Sequence, residues 1–140
     1  MQVRNLLPVV LSSCLLLPFT GCDQANSQKS VLEKQDKAKL LKAGSLCTVM
    51  GGDMQFGVAK VLLMDESITH LKLYKNNYKE RPSSIDIPTL SMGSADDKDR
   101  FGVGHVPVST KEFLNWQPMI AGYEPVTKED LEGYEIWKNQ

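Results

Sequence analysis

Few side chains in this sequence have a type and spacing suited to catalysis. The two histidines, His70 and His105, are far apart in the chain, and neither stands at a zinc-ligand spacing from a cysteine or another histidine. His105 could act as a general base if folding brought Asp97 or Asp99 against it, although a nucleophile would also have to lie within reach. A hydrolase that uses His105 is therefore kept as a third hypothesis, behind two hypotheses of binding.

An acidic cluster formed by Asp96, Asp97 and Asp99 is the second group of interest. Asp97 and Asp99, followed by Gly102, match part of a calcium-binding loop, in which oxygen ligands alternate along the chain. A third oxygen ligand is missing, and Val108 stands where the closing glutamate would be. The cluster is therefore predicted to be an exposed acidic loop, and no metal ion or cofactor is expected.

Cys22 follows an apolar run that ends in two small residues, Thr20 and Gly21. The string LLLPFTGCD, residues 15–23, resembles the lipobox of bacterial lipoproteins, with Phe19 in the position usually held by Leu, Val or Ile. In that family a diacylglyceryl group is attached to the cysteine, the preceding peptide is removed and the new amino end is acylated. The resemblance implies a signal peptide over residues 1–21 and a lipid anchor on Cys22.

The first residues support export. Arg4 and the initiator amine form a short positive region, and the apolar segment 6–17 is shorter than the roughly 20 residues that span a bilayer. A positive start, an apolar run and a small-residue exit describe a signal peptide. Asp23 resembles the sorting signal that keeps enteric lipoproteins in the inner membrane. The predicted location is the periplasmic side of the inner membrane, with the outer membrane as the alternative where sorting rules differ.

The mature chain would keep one thiol free of lipid. Cys14 leaves with the signal peptide and Cys22 carries the anchor, so Cys47 remains, within the apolar run 46–50. A buried cysteine behaves as a small hydrophobic residue, and Cys47 is predicted to be buried and inert. The formal net charge of −1 leaves no electrostatic footprint for nucleic acid. The expected partners are the membrane, through the lipid, and another protein.

The remaining chain divides into three parts. Residues 22–29 are polar and are predicted to be a tether. Residues 30–44 are predicted to form a linker helix, because Ser30 and Glu33 have the spacing of a capping box and Gly44 is a suitable stop. Residues 45–140 are predicted to form a single domain.

This domain is predicted to be α+β. Residues 46–50, 56–64 and 68–74 have the composition of three strands joined by short turns, which predicts an antiparallel meander and a small SH3-like half-barrel. Capping boxes beginning at Ser109 and Thr127 predict two short C-terminal helices. The second helix would carry Leu131, Tyr134 and Trp137 on one stripe, to be packed on the open face of the sheet.

A candidate surface for a partner follows from the third strand. Its alternation places Thr69, Leu71 and Leu73 on one face and three polar or aromatic side chains on the other, which is typical of a half-buried strand. The predicted partner-binding residues are this outward row together with the acidic loop, namely His70, Lys72, Tyr74, Asp96, Asp97 and Asp99.

Motifs spread over the domain resemble a set of small uncharacterised bacterial proteins: Phe56-Gly57-Val58-x-Lys60-Val61-Leu62, His70-x-x-x-Tyr74-x-Asn76, Arg81-Pro82, Gly104-His105-x-Pro107, Phe113-x-x-Trp116 and Leu131-x-Gly133-Tyr134-x-x-Trp137. No activity is implied by that set. Small lipoproteins of this size are also similar in build to the immunity proteins that neutralise antibacterial effectors. The leading hypothesis is therefore a non-catalytic protein-binding module of the immunity type. The alternative is an accessory lipoprotein of an envelope complex.

Overall fold

The computed structural model describes residues 39–94, 96–98 and 101–140. The predicted signal peptide, Cys22, Asp23, the tether, most of the linker helix and Asp99 lie outside these residues. Lys39 and Leu40 are helical, whereas residues 41–44 are not, so the predicted helix end at Gly44 was wrong by four residues. Gly44 takes a φ of 89° in the turn that leads into the first strand, a left-handed conformation that favours glycine. Within the part that is described, no helix is long and apolar enough to cross a membrane.

A five-stranded antiparallel sheet forms the body of the protein. Its strands are β1 (Ser45–Met50), β2 (Phe56–Met64), β3 (Ile68–Tyr78), β4 (Val103–Ser109) and β5 (Met119–Tyr123), and their spatial order is β4-β3-β2-β1-β5. The predicted meander of β1, β2 and β3 is confirmed, as is the α+β class. Strands β4 and β5 extend the sheet on either side and were not predicted from the sequence.

One face of the sheet, which we call the Phe113 face, holds the larger apolar core. Helix α1 (Thr110–Asn115) begins as predicted, with the Ser109 hydroxyl accepting a hydrogen bond from the Glu112 amide at 3.1 Å. This helix places Phe113 at the centre of a buried cluster that also contains Leu41, Cys47, Val49, Ala59, Val61 and Leu71.

The opposite face, which we call the Lys60 face, is half apolar and half charged. A second cluster of Leu46, Val58, Ile85 and Ala121 covers one part of it. A 3-10 helix (Glu129–Leu131) and helix α2 (Glu132–Lys138) end the chain, and the aromatics of α2 contact the sheet as predicted. The Thr127 capping box is reciprocal, because Thr127 and Asp130 each accept a hydrogen bond from the other's amide, at 3.2 and 3.1 Å.

Candidate functional site

His70 and His105 form a pair on the Lys60 face. His70 Nδ1 lies 2.9 Å from His105 Nε2, and the two rings are stacked with an interplanar angle of 11°. Tyr134 and Trp137 of α2 meet the His70 ring edge-on, each with ring centroids 4.8 Å away. His70 is consequently only 2% exposed. The prediction of an outward His70 was wrong, because α2 covers this end of the strand.

Burial disfavours the protonated form of both rings. It lowers the pKa of His70, with a partial opposing effect from the Asp65 carboxylate, and it lowers the pKa of His105, on which His70 acts in the same direction. The hydrogen bond between the rings needs one nitrogen to donate and the other to accept. Two imidazolium rings would face each other with two N–H groups, so the pair is stable only with at least one neutral ring.

We expect the domain to lose stability as the pH falls from about 8 to about 5. Both folded pKa values lie below the ordinary imidazole range near 6.5, so the unfolded chain takes up protons first and the stabilisation present at higher pH is lost on acidification. The Asp65 carboxylate acts on His70 through its charge, and Lys138 Nζ lies 5.9 Å from the centroid of the Tyr134 ring that covers His70. The measurement is the midpoint of thermal unfolding, followed by circular dichroism.

His105→Gln is the control for this pH dependence, because the amide can still hydrogen-bond His70 but does not titrate. The slope of the midpoint against pH should become shallower in this variant. An unchanged slope would show that the pair does not cause the dependence.

The acidic loop is tied to β3. Asp97 forms an ion pair with Lys75 at 2.8 Å and accepts a hydrogen bond from the Ser94 amide at 2.8 Å, and these contacts lower the pKa of Asp97. Asp96 is exposed, as predicted, while Asp97 is half-buried. His105 uses Nε2 to contact His70, and Asp97 is engaged by Lys75, so the structure does not pair these two residues.

The centre of the Lys60 face is a buried ion network. Lys60 lies in the central strand β2 and is 1% exposed. Its Nζ donates to Glu124 Oε2 at 2.7 Å, to Asp130 Oδ2 at 2.7 Å and to the Pro125 carbonyl at 3.0 Å. Lys72 donates to the other Asp130 oxygen at 2.6 Å. The segment 124–131 is therefore attached to the sheet by charge-assisted hydrogen bonds.

Two acidic groups of this network have strongly shifted pKa values. Burial alone would raise the pKa of Asp130, but hydrogen bonds from Lys60, Lys72 and the Thr127 amide outweigh it and hold the pKa far below its usual range. Burial raises the pKa of Tyr74, and the negative charges of Glu124 and Asp130 raise it further. Asp130 is thus fixed as a carboxylate and Tyr74 as a neutral phenol.

A polar cleft of about 320 Å³ opens above this network. Lys72 and Tyr74, two of the predicted partner-binding residues, line it beside Lys60 and Asp130. The remaining walls come from the loop before β4 and from the segment before α2, with Ile87, Leu90, Met92, Glu124, Thr127 and Glu129 as the other lining residues.

A larger apolar cavity of about 410 Å³ has one lining residue, Tyr74, in common with the cleft, and several of its other walls belong to the Phe113 face. Its walls come from the end of β1, the start of β2 and the segment before β4, and they include Val49, Leu73 and Trp116. Phe101, which is 61% exposed, also borders it. We call the apolar cavity and the polar cleft together the Tyr74 site.

The sequence predictions recover part of this site. Lys72 and Tyr74 lie in it, His70 lies outside its lining under α2, and Asp97 is held by Lys75. Lys60 and Asp130 were missed, although a lone lysine in the apolar run of β2 is a signal of a buried charge that needs partners. The partner-binding role of these residues stays a prediction.

Cys47 has the environment predicted for it. It is fully buried in β1, and burial raises the pKa of its thiol to about 12. Across the residues that the structure describes, no three His, Cys, Asp or Glu side chains are grouped closely enough to hold a metal ion.

Comparison with known proteins gives no relative for this chain: no family model, no curated protein and no solved structure matches it.

Proposed function

We propose that the chain is a lipoprotein, anchored through Cys22 to the periplasmic side of the inner membrane, and that its domain neutralises an antibacterial effector by binding it. The anchor is supported by the lipobox resemblance and by the aspartate at position 23. The binding role is supported by the Tyr74 site, in which an apolar cavity and a cleft of fixed charges share Tyr74 as a lining residue.

The apolar cavity is the observation that carries the proposal. Interfaces concentrate their binding energy in a few side chains that enter well-packed apolar pockets. A cavity of about 410 Å³ accepts a large side chain, and exposed Phe101 at its rim offers a further contact. An inhibitor of this kind needs only a rigid surface complementary to the effector and no nucleophile of its own.

The charged cleft would make such a contact specific for one partner. Lys72 and Asp130 are already held by each other, so they lose little side-chain freedom when a partner binds. Charges held in this way select the complementary partner and discourage others. Asp96 and Asp97 lie in the loop before the cavity's Phe101 rim and would contact the basic side chains of an effector.

The finer description of the fold also remains a proposal. We keep the SH3-like half-barrel and the linker helix, predicted over residues 30–44 and ending at Leu40 in the structure, as the arrangement that would hold the domain near the anchor. The five-stranded sheet and its meander are compatible with it.

The decisive test is genetic. A toxin-like reading frame should lie beside the gene, and deletion of the gene should allow that toxin to kill the cell. Survival of the deletion strain with an active toxin would remove the immunity proposal. Co-purification with a stable membrane complex, with no toxin encoded nearby, would instead favour the accessory-lipoprotein alternative.

Phe101→Ala is expected to weaken binding of the effector by on the order of tenfold, or about 1.4 kcal/mol, because the proposal makes Phe101 one of the few aromatic side chains that carry most of the binding energy. The measurement is calorimetric titration of the purified effector. Ile136→Ala is the matched control, since Ile136 is a similarly exposed apolar residue that does not line the cavity. Equal affinity of the two variants would place the interface elsewhere.

Lipid attachment has its own test. Cells fed labelled palmitate should label the wild-type protein and leave Cys22→Ser unlabelled and released from the membrane. An unlabelled wild type would contradict the anchor without touching the binding proposal.

A further inference from the structure

An exposed apolar patch lies where the described chain begins. Leu40, Leu41, Pro118, Met119 and Ile120 line a shallow groove of about 200 Å³. Leu40 is 69% exposed and Ile120 is about half exposed. Met119 is similarly exposed, but it lies opposite Thr48 in β1, so its side chain is on the other face of this edge strand. None of the groove's lining residues is charged. Apolar side chains grouped in this way on a small domain mark a contact surface.

Tyr123 and Lys42 border this groove. In the pairing of β5 with β1, Ile120 lies opposite Cys47 and Tyr123 opposite Ser45, so both side chains share the face on which Leu41 packs. Tyr123 is 52% exposed, and Lys42 Nζ lies 5.1 Å from the centroid of its ring. We call the groove together with Tyr123 and Lys42 the Ile120 patch.

The Ile120 patch has the composition of a membrane-interface surface. Aliphatic side chains enter the boundary between headgroups and acyl chains, while tyrosine and lysine place their polar ends at headgroup level. The lysine charge favours anionic lipids. The acidic neighbour of Tyr123, Glu124, is bound to Lys60 on the opposite face of the sheet and does not oppose this attraction.

The length of the preceding chain keeps the patch near the bilayer. Residues 23–38 separate Cys22 from Lys39 and could reach at most roughly 55 Å when fully extended. Any helix in that segment would shorten the reach, because a helix rises only about 1.5 Å per residue. A lipid on Cys22 therefore holds the domain within its own diameter or two of the surface, with the Ile120 patch at the tethered end.

We propose that the Ile120 patch rests on the bilayer and docks the domain on anionic headgroups. The proposal rests on the membrane location given above and adds an orientation to it. Ser45 is the first residue of β1 and Tyr123 lies opposite it at the end of β5, whereas the apolar cavity of the Tyr74 site reaches the β1–β2 turn at Gly51 and Gly52. With the patch on the membrane, the end of the cavity nearest this turn faces away from it.

The test uses the whole mature chain without its lipid, as Cys22→Ser, so that any membrane binding comes from the protein surface. A single cysteine at Leu40→Cys or Ile120→Cys carries an environment-sensitive dye, and buried Cys47 stays unlabelled. Met54→Cys is the matched control, because Met54 is a highly exposed apolar residue in the β1–β2 turn. Vesicles are made of phosphatidylethanolamine with phosphatidylglycerol, or of phosphatidylcholine alone.

The dye at residues 40 and 120 should shift to the blue and brighten several-fold with anionic vesicles, and the dye at residue 54 should not respond. In sedimentation, Leu40→Asp should lower the fraction bound by on the order of tenfold. Ile120→Asp is the second variant, checked for folding by circular dichroism.

Three results would overturn the proposal: no binding to anionic vesicles, equal responses at residues 40 and 54, or a dye response without vesicles that grows with protein concentration. The last would show that the patch pairs two copies of the chain. Each of these results leaves the palmitate labelling of Cys22 unaffected, so failure of the docking surface and failure of the lipid anchor can be told apart.

Discussion

Asp130→Asn is expected to destabilise the domain by about 3 kcal/mol, because it removes one charge from a buried network and leaves the others unbalanced. In the native protein Asp130 receives hydrogen bonds from Lys60 and Lys72 on its two oxygens. Asparagine is nearly isosteric with aspartate, so packing changes little. The loss of stability therefore measures the effect of removing the charge. Lys60 still donates hydrogen bonds to Glu124 and to the Pro125 carbonyl. The expected loss of stability is therefore at the lower end of the range measured for broken buried ion pairs. Urea denaturation followed by circular dichroism measures it.

Asp97→Asn is the matched control for this charge effect. It makes the same chemical change in the ion pair with Lys75, whose side chains are 30–38% exposed, and such a pair contributes about 1 kcal/mol or less. Equal losses in the two variants would show that the Lys60 network does not fix segment 124–131 to the sheet.

The features that the sequence predicted correctly depend on short-range spacing. The capping boxes at Ser109 and Thr127 need residues only three positions apart. The Thr127 box forms both of its hydrogen bonds, and the Ser109 hydroxyl accepts one from the Glu112 amide. The burial of Cys47 follows from its apolar neighbours in β1. Local rules of this kind need no knowledge of which elements meet.

The features that were missed depend on contacts between distant parts of the chain. Lys60 and Asp130 are 70 positions apart, so the sequence around Lys60 does not indicate which acidic residue binds it. The cover over His70 comes from Trp137 in the last helix, and alternation along β3 alone cannot predict it. Strand β4 was not predicted, and it contains Pro107, which lacks an amide donor and is tolerated here because β4 is an edge strand.

The Tyr74 site likewise has one part that follows from local sequence and another that depends on long-range contacts. Lys72 and Tyr74 were selected because a strand alternates, and both line the Tyr74 site. The apolar cavity could not be predicted, because its walls combine β1, β2, β3 and the segment before β4. A binding site assembled from several elements becomes visible only when their registers are known.

Phe113→Ala is expected to destabilise the domain by about 3–5 kcal/mol, the loss typical of truncating a large aromatic in a core. Phe113 is fully buried, and its ring meets Trp116 nearly edge-on with centroids 6.1 Å apart. Because Trp116 lines the apolar cavity, the deletion also removes support from one wall of the Tyr74 site. The measurement is the free energy of unfolding in urea.

Phe101→Ala makes the same chemical change at the rim of that cavity and is expected to alter stability by no more than about 0.5 kcal/mol, because the ring is largely exposed. The pair separates the two uses of phenylalanine in this domain: Phe113 holds the scaffold, and Phe101 is available to a partner. If Phe101→Ala were as destabilising as Phe113→Ala, the rim would be part of the core, and the weaker effector binding predicted for that variant would report unfolding. Stability and affinity must therefore be measured on the same preparations, and a loss of affinity at unchanged stability is the result that assigns Phe101 to the interface.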